Sequence, residues 1–553
     1  MSEIKRNDLQ FGPLVPAAVA RRALGSMEST PPAHQNFPSA NVAPAPAALP
    51  AQPERAPALH LWIVLTYFIV AFSSQLILLI PEMSPFRVVL RTLPFMVSLL
   101  LAIFPAGRHI GGFRKHPALG AAGLVLCILA IGLFNQYTQS VTAGLAQIAL
   151  VTAILSPLLW VGRLQLGSRG LAIVIFCLWG FNAVSAGFGV LQVRFPGHFQ
   201  PATSIIVQEF QERGITANIE LADGTEMERP YGLTDNPGGA AAAGMIAFIF
   251  GLGLLVYTRN WLFKAIFLTG MGVGLFVIYL SQVRVSIVMC GVATVAFCGI
   301  MSMRGEFGRL TGALLALAVV VIVSTSAAFV IGGNSTRDRF LTLVDDDAGS
   351  VYHNNRGVFL DYTFEYVLPS YPIGAGLGRY GMVAHYFNNN GPSDALWAEI
   401  QWTAWAYDGG WLMILAYPIA IFIALWNTFK IGKDRTYGPV GVWAAILTCY
   451  NISVFAVLFS YPFFVSQGGL EFWLLNAACF SAAQVYRESL KPNVPEGFAV
   501  IPAPWRPKVA PADDGRTAPS DLGAGPAPRR RPLARCPLPA VVPVFDAADR
   551  GPV

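Results

Sequence analysis

Residues 238–304 read GGAAAAGMIAFIFGLGLLVYTRNWLFKAIFLTGMGVGLFVIYLSQVRVSIVMCGVATVAFCGIMSMR. Arg259, Lys264, Arg284 and Arg304 are the only charged residues in this stretch, and none is acidic. Three apolar runs, 238–257, 261–281 and 284–303, each reach the length of about 20 residues that a helix needs to cross hydrocarbon. A short basic gap parts the first two, and a tight turn near Gln282 parts the last two. Lipid offers no partner to an open backbone group, so adjacent runs of this kind read as consecutive membrane-spanning helices.

The rest of the chain extends the pattern. Of its 553 residues 54% are hydrophobic and only 12% are charged, whereas soluble domains carry roughly 25% charged residues. Further runs occur at 59–80, 86–105, 117–134, 141–162, 170–193, 310–331, 409–429, 440–461 and 468–486. The expected fold is an all-α polytopic membrane protein with about 12 transmembrane helices. Its expected parts are a disordered tail at 1–57, a membrane domain at 58–486 and a disordered basic tail at 487–553. The first tail is polar, long and Ala/Pro-rich, unlike a secretory signal peptide.

Basic residues fall in every second gap. Lys5, Arg6, Arg21, Arg22 and Arg55 precede the first span. Arg108, Arg114 and Lys115 come next, then Arg163 with Arg169, Arg259 with Lys264, Arg304 with Arg309, and the group Lys430, Lys433 and Arg435, before the tail from Arg487. The alternation predicts both tails in the cytoplasm and the long loops, 194–237 and 332–408, on the outer side. Glu209, Glu212, Glu220, Asp223, Glu226, Glu228 and Asp345 to Asp347 fit translocated loops. The net charge of +6 therefore reads as a topology signal, with Arg529 to Arg531 suited to anionic inner-leaflet lipid. No basic surface interleaved with aromatics suggests nucleic acid. No internal repeat of the transporter kind is visible.

Cys127, Cys177, Cys290, Cys298, Cys449 and Cys479 lie in apolar runs and Cys536 in the last tail, with no CxxC spacing. They read as small apolar residues. His353 and His385 are too few for a metal site, so no metal and no cofactor are expected.

Chemistry is expected in the second outer loop, which far exceeds the ~15 residues of an ordinary connection. From Gly357 to Leu368 the pattern suits a helix, with Phe359, Tyr362, Tyr366 and Val367 near one face, and Pro369 and Pro372 ending it. Gly374, Gly376 and Gly378 follow, as a turn with close backbone approach or as a phosphate cradle. Such a loop should fold as a cap on the membrane domain. Arg87, Arg91, Arg229, Arg284, Arg356 and Arg379 all fall near the outer boundary. Each is either a snorkelling or salt-bridged side chain, or part of a site that grips diphosphate through paired hydrogen bonds. Glu399, among Trp397 and Trp402, is either a general base raised by desolvation or the partner of a nearby arginine. Asp408 is expected to complement the dipole at a helix start.

Three segments resemble the O-antigen ligase and O-antigen polymerase superfamily. Arg229-Pro230-Tyr231-Gly232-Leu233-Thr234-Asp235-Asn236-Pro237 is similar to its Arg-x-x-Gly segment followed by Asn-Pro. Leu280-Ser281-Gln282-Val283-Arg284 resembles its Ser-x-Ser-Arg segment, with valine in place of the second serine. Arg356 through Pro372-Ile373-Gly374-Ala375-Gly376-Leu377-Gly378 resembles the arginine, helix and glycine pattern of its large loop. Where that family commonly has a His-Asn pair, this chain has Glu399 and Ile400, which leans the resemblance toward polymerases.

The resemblance implies a metal-independent glycosyltransferase of the bacterial inner membrane. Its donor would be a polyprenyl-diphosphate-linked oligosaccharide, polymerised at the periplasmic face for exopolysaccharide or O-antigen. Arg229 and Arg284 would stabilise the departing diphosphate, and Glu399 would accept the proton of the attacking hydroxyl. Arg356, Arg379, Tyr231, Asn236, Gly374, Gly376 and Gly378 would bind substrate. A glycan acceptor, membrane lipids and other polysaccharide assembly proteins are the implied partners. Three alternatives stand beside it: a ligase acting on a lipid A-core acceptor in lipopolysaccharide assembly, a flippase of lipid-linked glycans, and a non-catalytic scaffold.

Overall fold

The computed structural model describes residues 58–103, 115–201, 218–220, 224, 226–341, 348–387 and 395–491. The first tail, nearly all of the second tail, Arg108, Arg114, Glu209, Glu212, Asp223, Asp345 to Asp347 and Cys536 lie outside the described residues. The helices are α1 (Ala58–Leu78), α2 (Arg87–Ile103), α3 (Leu119–Gly132), α4 (Val141–Leu155, prolonged by shorter turns to Arg163), α5 (Ser168–Arg194), α6 (Gly239–Tyr257) and α7 (Trp261–Leu280). They continue with α8 (Arg284–Met303), α9 (Phe307–Leu341), α10 (helical turns over 348–370), α11 (Gly381–Phe387), α12 (Gln401–Lys433), α13 (Gly438–Val457) and α14 (Gln467–Ser489). One departure from an all-α chain is a small antiparallel hairpin, β1 (Asn218–Glu220) with β2 (Glu226–Glu228).

Among the described residues, nine helices are long and apolar enough to cross a membrane. The chain is a helical, multi-pass membrane protein. The other three expected positions hold α2, α3 and α14, which are shorter or more polar. Local chemistry sets several ends. Ser140 caps α4 by accepting from the Ala143 N–H (3.3 Å), and Asn260 caps α7 by accepting from the Leu262 N–H (2.9 Å).

The bundle is built around α6 and α13, whose spans are 83% buried. Small residues let α6 and α7 approach to backbone contact: a Cβ on Gly244 of α6 would stand 2.4 Å from the Gly274 carbonyl of α7. On the periphery, α9 exposes Leu315, Ile322 and Val330, side chains suited to lipid. A polar clamp joins the last three long helices. Asn451 and Asn476 donate to each other (2.8 and 3.1 Å), and Asn451 also donates to Thr428 Oγ1 (3.1 Å).

Two long helices are broken. In α9 the break is at Gly333, and in α12 it is at Gly409 and Gly410. The expected tenth span, 409–429, starts at this break, and residues 401–408, expected in the loop, form a buried half-helix ahead of it. The expected loop 332–408 loses both ends to helix.

Candidate functional site

The Arg229 segment is folded onto the end of α5. Gln192 Oε1 accepts from the backbone N–H groups of Tyr231 and Gly232, both at 2.8 Å, and its Nε2 donates to the Gly232 carbonyl (3.0 Å). Ser185 Oγ accepts from the Leu233 N–H (2.9 Å). Gly232 has φ +66°, and a Cβ there would meet Ser185 Oγ at 2.6 Å, so this turn needs glycine. Arg229 is half-buried, with its Cδ over Gly238, and Asn236 is exposed. Tyr231 is buried, and its hydroxyl donates to the Glu228 carboxylate. Burial and that carboxylate push the phenol's pKa up. Tyr231, expected to bind substrate, packs beneath the turn.

The turn that carries Arg284 is linked to the Arg229 segment through an apolar cluster. Met227, Ile219, Val193 and Leu280 form one small apolar cluster, with Ile331 packed against it. Arg229 follows Met227 in the chain and Arg284 follows Leu280, so both leave this cluster within a few residues. Between Leu280 and Arg284 the chain reverses through Ser281 and Gln282, whose φ is +54°. The Arg284 Nε is buried and has no hydrogen-bond partner among the described residues. Two further arginines close in from α2. Arg91 donates to Asp235 Oδ2 through Nε (3.0 Å) and Nη2 (2.6 Å), while the Arg87 Nε stands 3.6 Å from the same oxygen. All three side chains are largely buried.

The expected cap is present, with a different face. α10 starts earlier than predicted and contains two wider π-turns at His353–Gly357 and Thr363–Val367. Those turns shift the register. Thr363, Val367 and Leu368 point inward, whereas Tyr362 and Tyr366 are exposed and stacked on one another. Thr363 and Thr403 share a hydrogen bond of 2.6 Å that ties the cap to α12.

The glycine turn then inserts into the membrane domain. A Cβ on Gly376 would stand 2.3 Å from the Tyr137 carbonyl, one on Gly378 2.6 Å from Ala143 backbone, and one on Gly374 2.9 Å from the Tyr407 carbonyl. The Ala375 N–H donates to that last carbonyl (2.8 Å), and the Trp411 N–H donates to the Pro372 carbonyl (3.0 Å). These glycines are buried against backbone. Of the two readings the sequence allowed, the geometry favours close approach over a phosphate cradle.

Glu399 is the partner of Arg356, which donates to its Oε2, while Trp397 Nε1 donates to Oε1 (2.9 Å). Both carboxylate oxygens are thus engaged. Burial holds the Arg356 guanidinium below its ordinary pKa, with Tyr352 opposing. Arg379 donates through Nη1 to the Ala375 carbonyl (3.1 Å), and its buried Nε has no hydrogen-bond partner among the described residues.

Asp408 closes the half-helix from Gln401 and stands directly ahead of the Gly409–Gly410 break, where the second half of α12 starts, and Tyr380 Oη (2.7 Å) and Gln147 Nε2 (2.9 Å) both donate to its Oδ2. Its other oxygen, Oδ1, is buried with no hydrogen-bond partner among the described residues. A second acid inside a helix went unremarked in the sequence reading. Glu471 of α14 accepts from Gln467 Nε2 (3.1 Å), and Gln467 in turn accepts from Gln75 Nε2 (2.5 Å). The signal was available: Glu471 is the only acid in the run 468–486.

No family model and no curated protein sequence matches the chain. The site must therefore be judged on its chemistry. Among the described residues, no three His, Cys, Asp or Glu side chains are grouped to hold a metal. The candidate residues thus fall into Arg87 and Arg91 on Asp235, Arg229 and Arg284 next in the chain to the Met227–Leu280 cluster, the Arg356–Glu399 pair, and Arg379 on the Ala375 carbonyl.

Proposed function

We propose that this protein is a glycosyltransferase of the bacterial inner membrane, with about a dozen spans and both tails in the cytoplasm, that polymerises polyprenyl-diphosphate-linked glycan units at the periplasmic face. The observation that supports the reading is that the chain positions just before Arg229 and Arg284, far apart in sequence, meet in one apolar cluster through Met227 and Leu280, while Asp235 of the Arg229 segment holds a buried ion group with Arg87 and Arg91. Guanidinium groups at a membrane boundary suit the diphosphate of a lipid-linked donor. No cofactor is needed, because the sugar is already activated.

In this reading Arg229 and Arg284 hold the diphosphate and stabilise charge as the anomeric carbon–oxygen bond breaks, its electron pair passing to the phosphate oxygen. The incoming anion competes for Arg356 and frees a Glu399 oxygen. That oxygen takes the proton of the acceptor hydroxyl, whose oxygen attacks the anomeric carbon. A surface-glycan gel on a deletion strain tests this, with rescue by wild type, Arg229→Ala, Arg284→Ala or Glu399→Gln at matched abundance. Expected is loss of polymer with single repeat units remaining for the arginine variants. Long unattached polymer would indicate the ligase alternative, and full rescue by every variant would sink the site.

A second reading, transport of lipid-linked glycans, is favoured by one observation. Asp408 and Glu471 lie within apolar helices, and α12 breaks beside Asp408. Ionisable groups at broken helices are what transporter sites use. Under that reading Asp408→Asn blocks appearance of lipid-linked units at the outer face, whereas a polymerase defect leaves them there.

A further inference from the structure

We propose that a cavity at the opposite, basic end of the bundle binds the phosphate headgroup of an anionic lipid. Its volume is about 560 Å³, and Met303, Lys430, Lys433, Asp434, Tyr437 and Arg487 line it. These residues come from the ends of α8, α12 and α14 and from the turn after α12.

The cations are positioned by aromatic faces. Lys430 Nζ stands 5.4 Å from the centre of the Trp426 ring, Lys433 Nζ 5.3 Å from that of Phe429, and the Arg487 guanidinium 4.7 Å from that of Tyr437. Such contacts orient a cation without cancelling its charge. The single lining carboxylate is already engaged: Asp434 Oδ1 accepts from the Thr436 N–H (2.9 Å) and hydroxyl (2.8 Å). The cavity therefore gathers three cations against one carboxylate, and an anion offsets the remaining positive charge.

An aromatic stripe identifies the anion's source as a lipid. Phe422, Trp426 and Phe429 follow one another along α12, with ring centres 6.3 and 5.5 Å apart. Phe422 and Trp426 are exposed, so the stripe runs from the cavity into the apolar zone, where an acyl chain can lie against it. Basic pockets between helices at this depth are suited to lipid headgroups.

The test uses the full chain in phosphatidylcholine nanodiscs doped with phosphatidylglycerol, with bound lipid read by native mass spectrometry after extraction. Expected is selective retention of phosphatidylglycerol, weakened about a hundredfold in the Lys430→Gln/Lys433→Gln/Arg487→Gln triple variant and kept by Lys430→Arg/Lys433→Arg. If the triple variant does not yield folded protein, Lys433→Gln alone should lose about fivefold. Displacement of phosphatidylglycerol by millimolar inorganic phosphate would replace the lipid with a free anion as the ligand. Equal retention of the two lipids, or unchanged retention by a folded glutamine variant, would overturn the site.

Discussion

Arg87, Arg91 and Asp235 form an ion group with little contact with solvent, and the geometry within it is unequal. Arg91 gives Asp235 two short hydrogen bonds, whereas Arg87 stands 3.6 Å away. Leaving a buried charge uncompensated costs about 3–5 kcal/mol. Asp235→Asn should therefore lower stability by about that amount in a detergent melting experiment. Arg91→Lys should cost less, because lysine keeps the charge and gives up the fork. A melt of Asp235→Asn that overlies wild type would remove the group from the stabilising contacts. The arginines were legible as residues near a boundary, but which acid they meet was not. Asp235 lies 144 positions from Arg91, and no spacing rule spans that distance. Glu399 likewise carried two readings, and only its contact with Arg356 favoured one for the resting protein. If Glu399 accepts the proton, Glu399→Gln abolishes polymer while Glu399→Asp retains a measurable part of it. If it only orients Arg356, the glutamine variant polymerises at a reduced rate.

At the scale of elements, the cap is held by its glycine turn. Gly376 has φ +95° and would bring a Cβ to 2.3 Å from the Tyr137 carbonyl; Gly381 has φ +63° with open space around it. An L-residue in the left-handed region costs about 1–2 kcal/mol at either position. Only at Gly376 must neighbouring backbone also move. Gly376→Ala should thus free the cap, seen as faster amide exchange over 348–387, while Gly381→Ala leaves exchange there close to wild type. Equal exchange in the two variants would mean that the turn does not anchor the cap. The helix in this loop was legible from its apolar pattern, but its buried face was not. Two π-turns add a residue per turn and rotate the stripe, and periodicity counted at 3.6 misses such turns.

Over the whole molecule, charge is divided between the two ends. Arg304 donates to the Gly432 carbonyl (2.7 Å) at the end of α12 and to Glu306 (2.9 Å), which also pairs with Arg309 (2.7 Å). These contacts gather the ends of α8, α9 and α12, where the alternating gaps put basic residues. The proposed orientation can be read by labelling single cysteines with a membrane-impermeant maleimide in a cysteine-free background. Ser370→Cys, in the cap, should label in spheroplasts, and Arg435→Cys, in the turn after α12, only after permeabilisation. The reverse pattern would invert the topology and move the arginine site to the cytoplasm.

The helical, multi-pass character and the placement of the apolar helices followed from the sequence because each apolar run is a local property. About twenty residues without charge have one stable backbone form in lipid, whatever their neighbours. Every expected apolar run holds a helix, and nine of the described helices have the length and apolarity of a span. The candidate arginines were visible for the same local reason, as cations where few belong. Tertiary structure decided what those residues touch. The Met227–Leu280 cluster, the Asp235 contact with α2, and the hydrogen bonds of Asp408 with Gln147 and Tyr380 all join segments far apart in the chain. Such contacts are chosen by shape and charge in three dimensions, and periodicity along one helix carries no information about them.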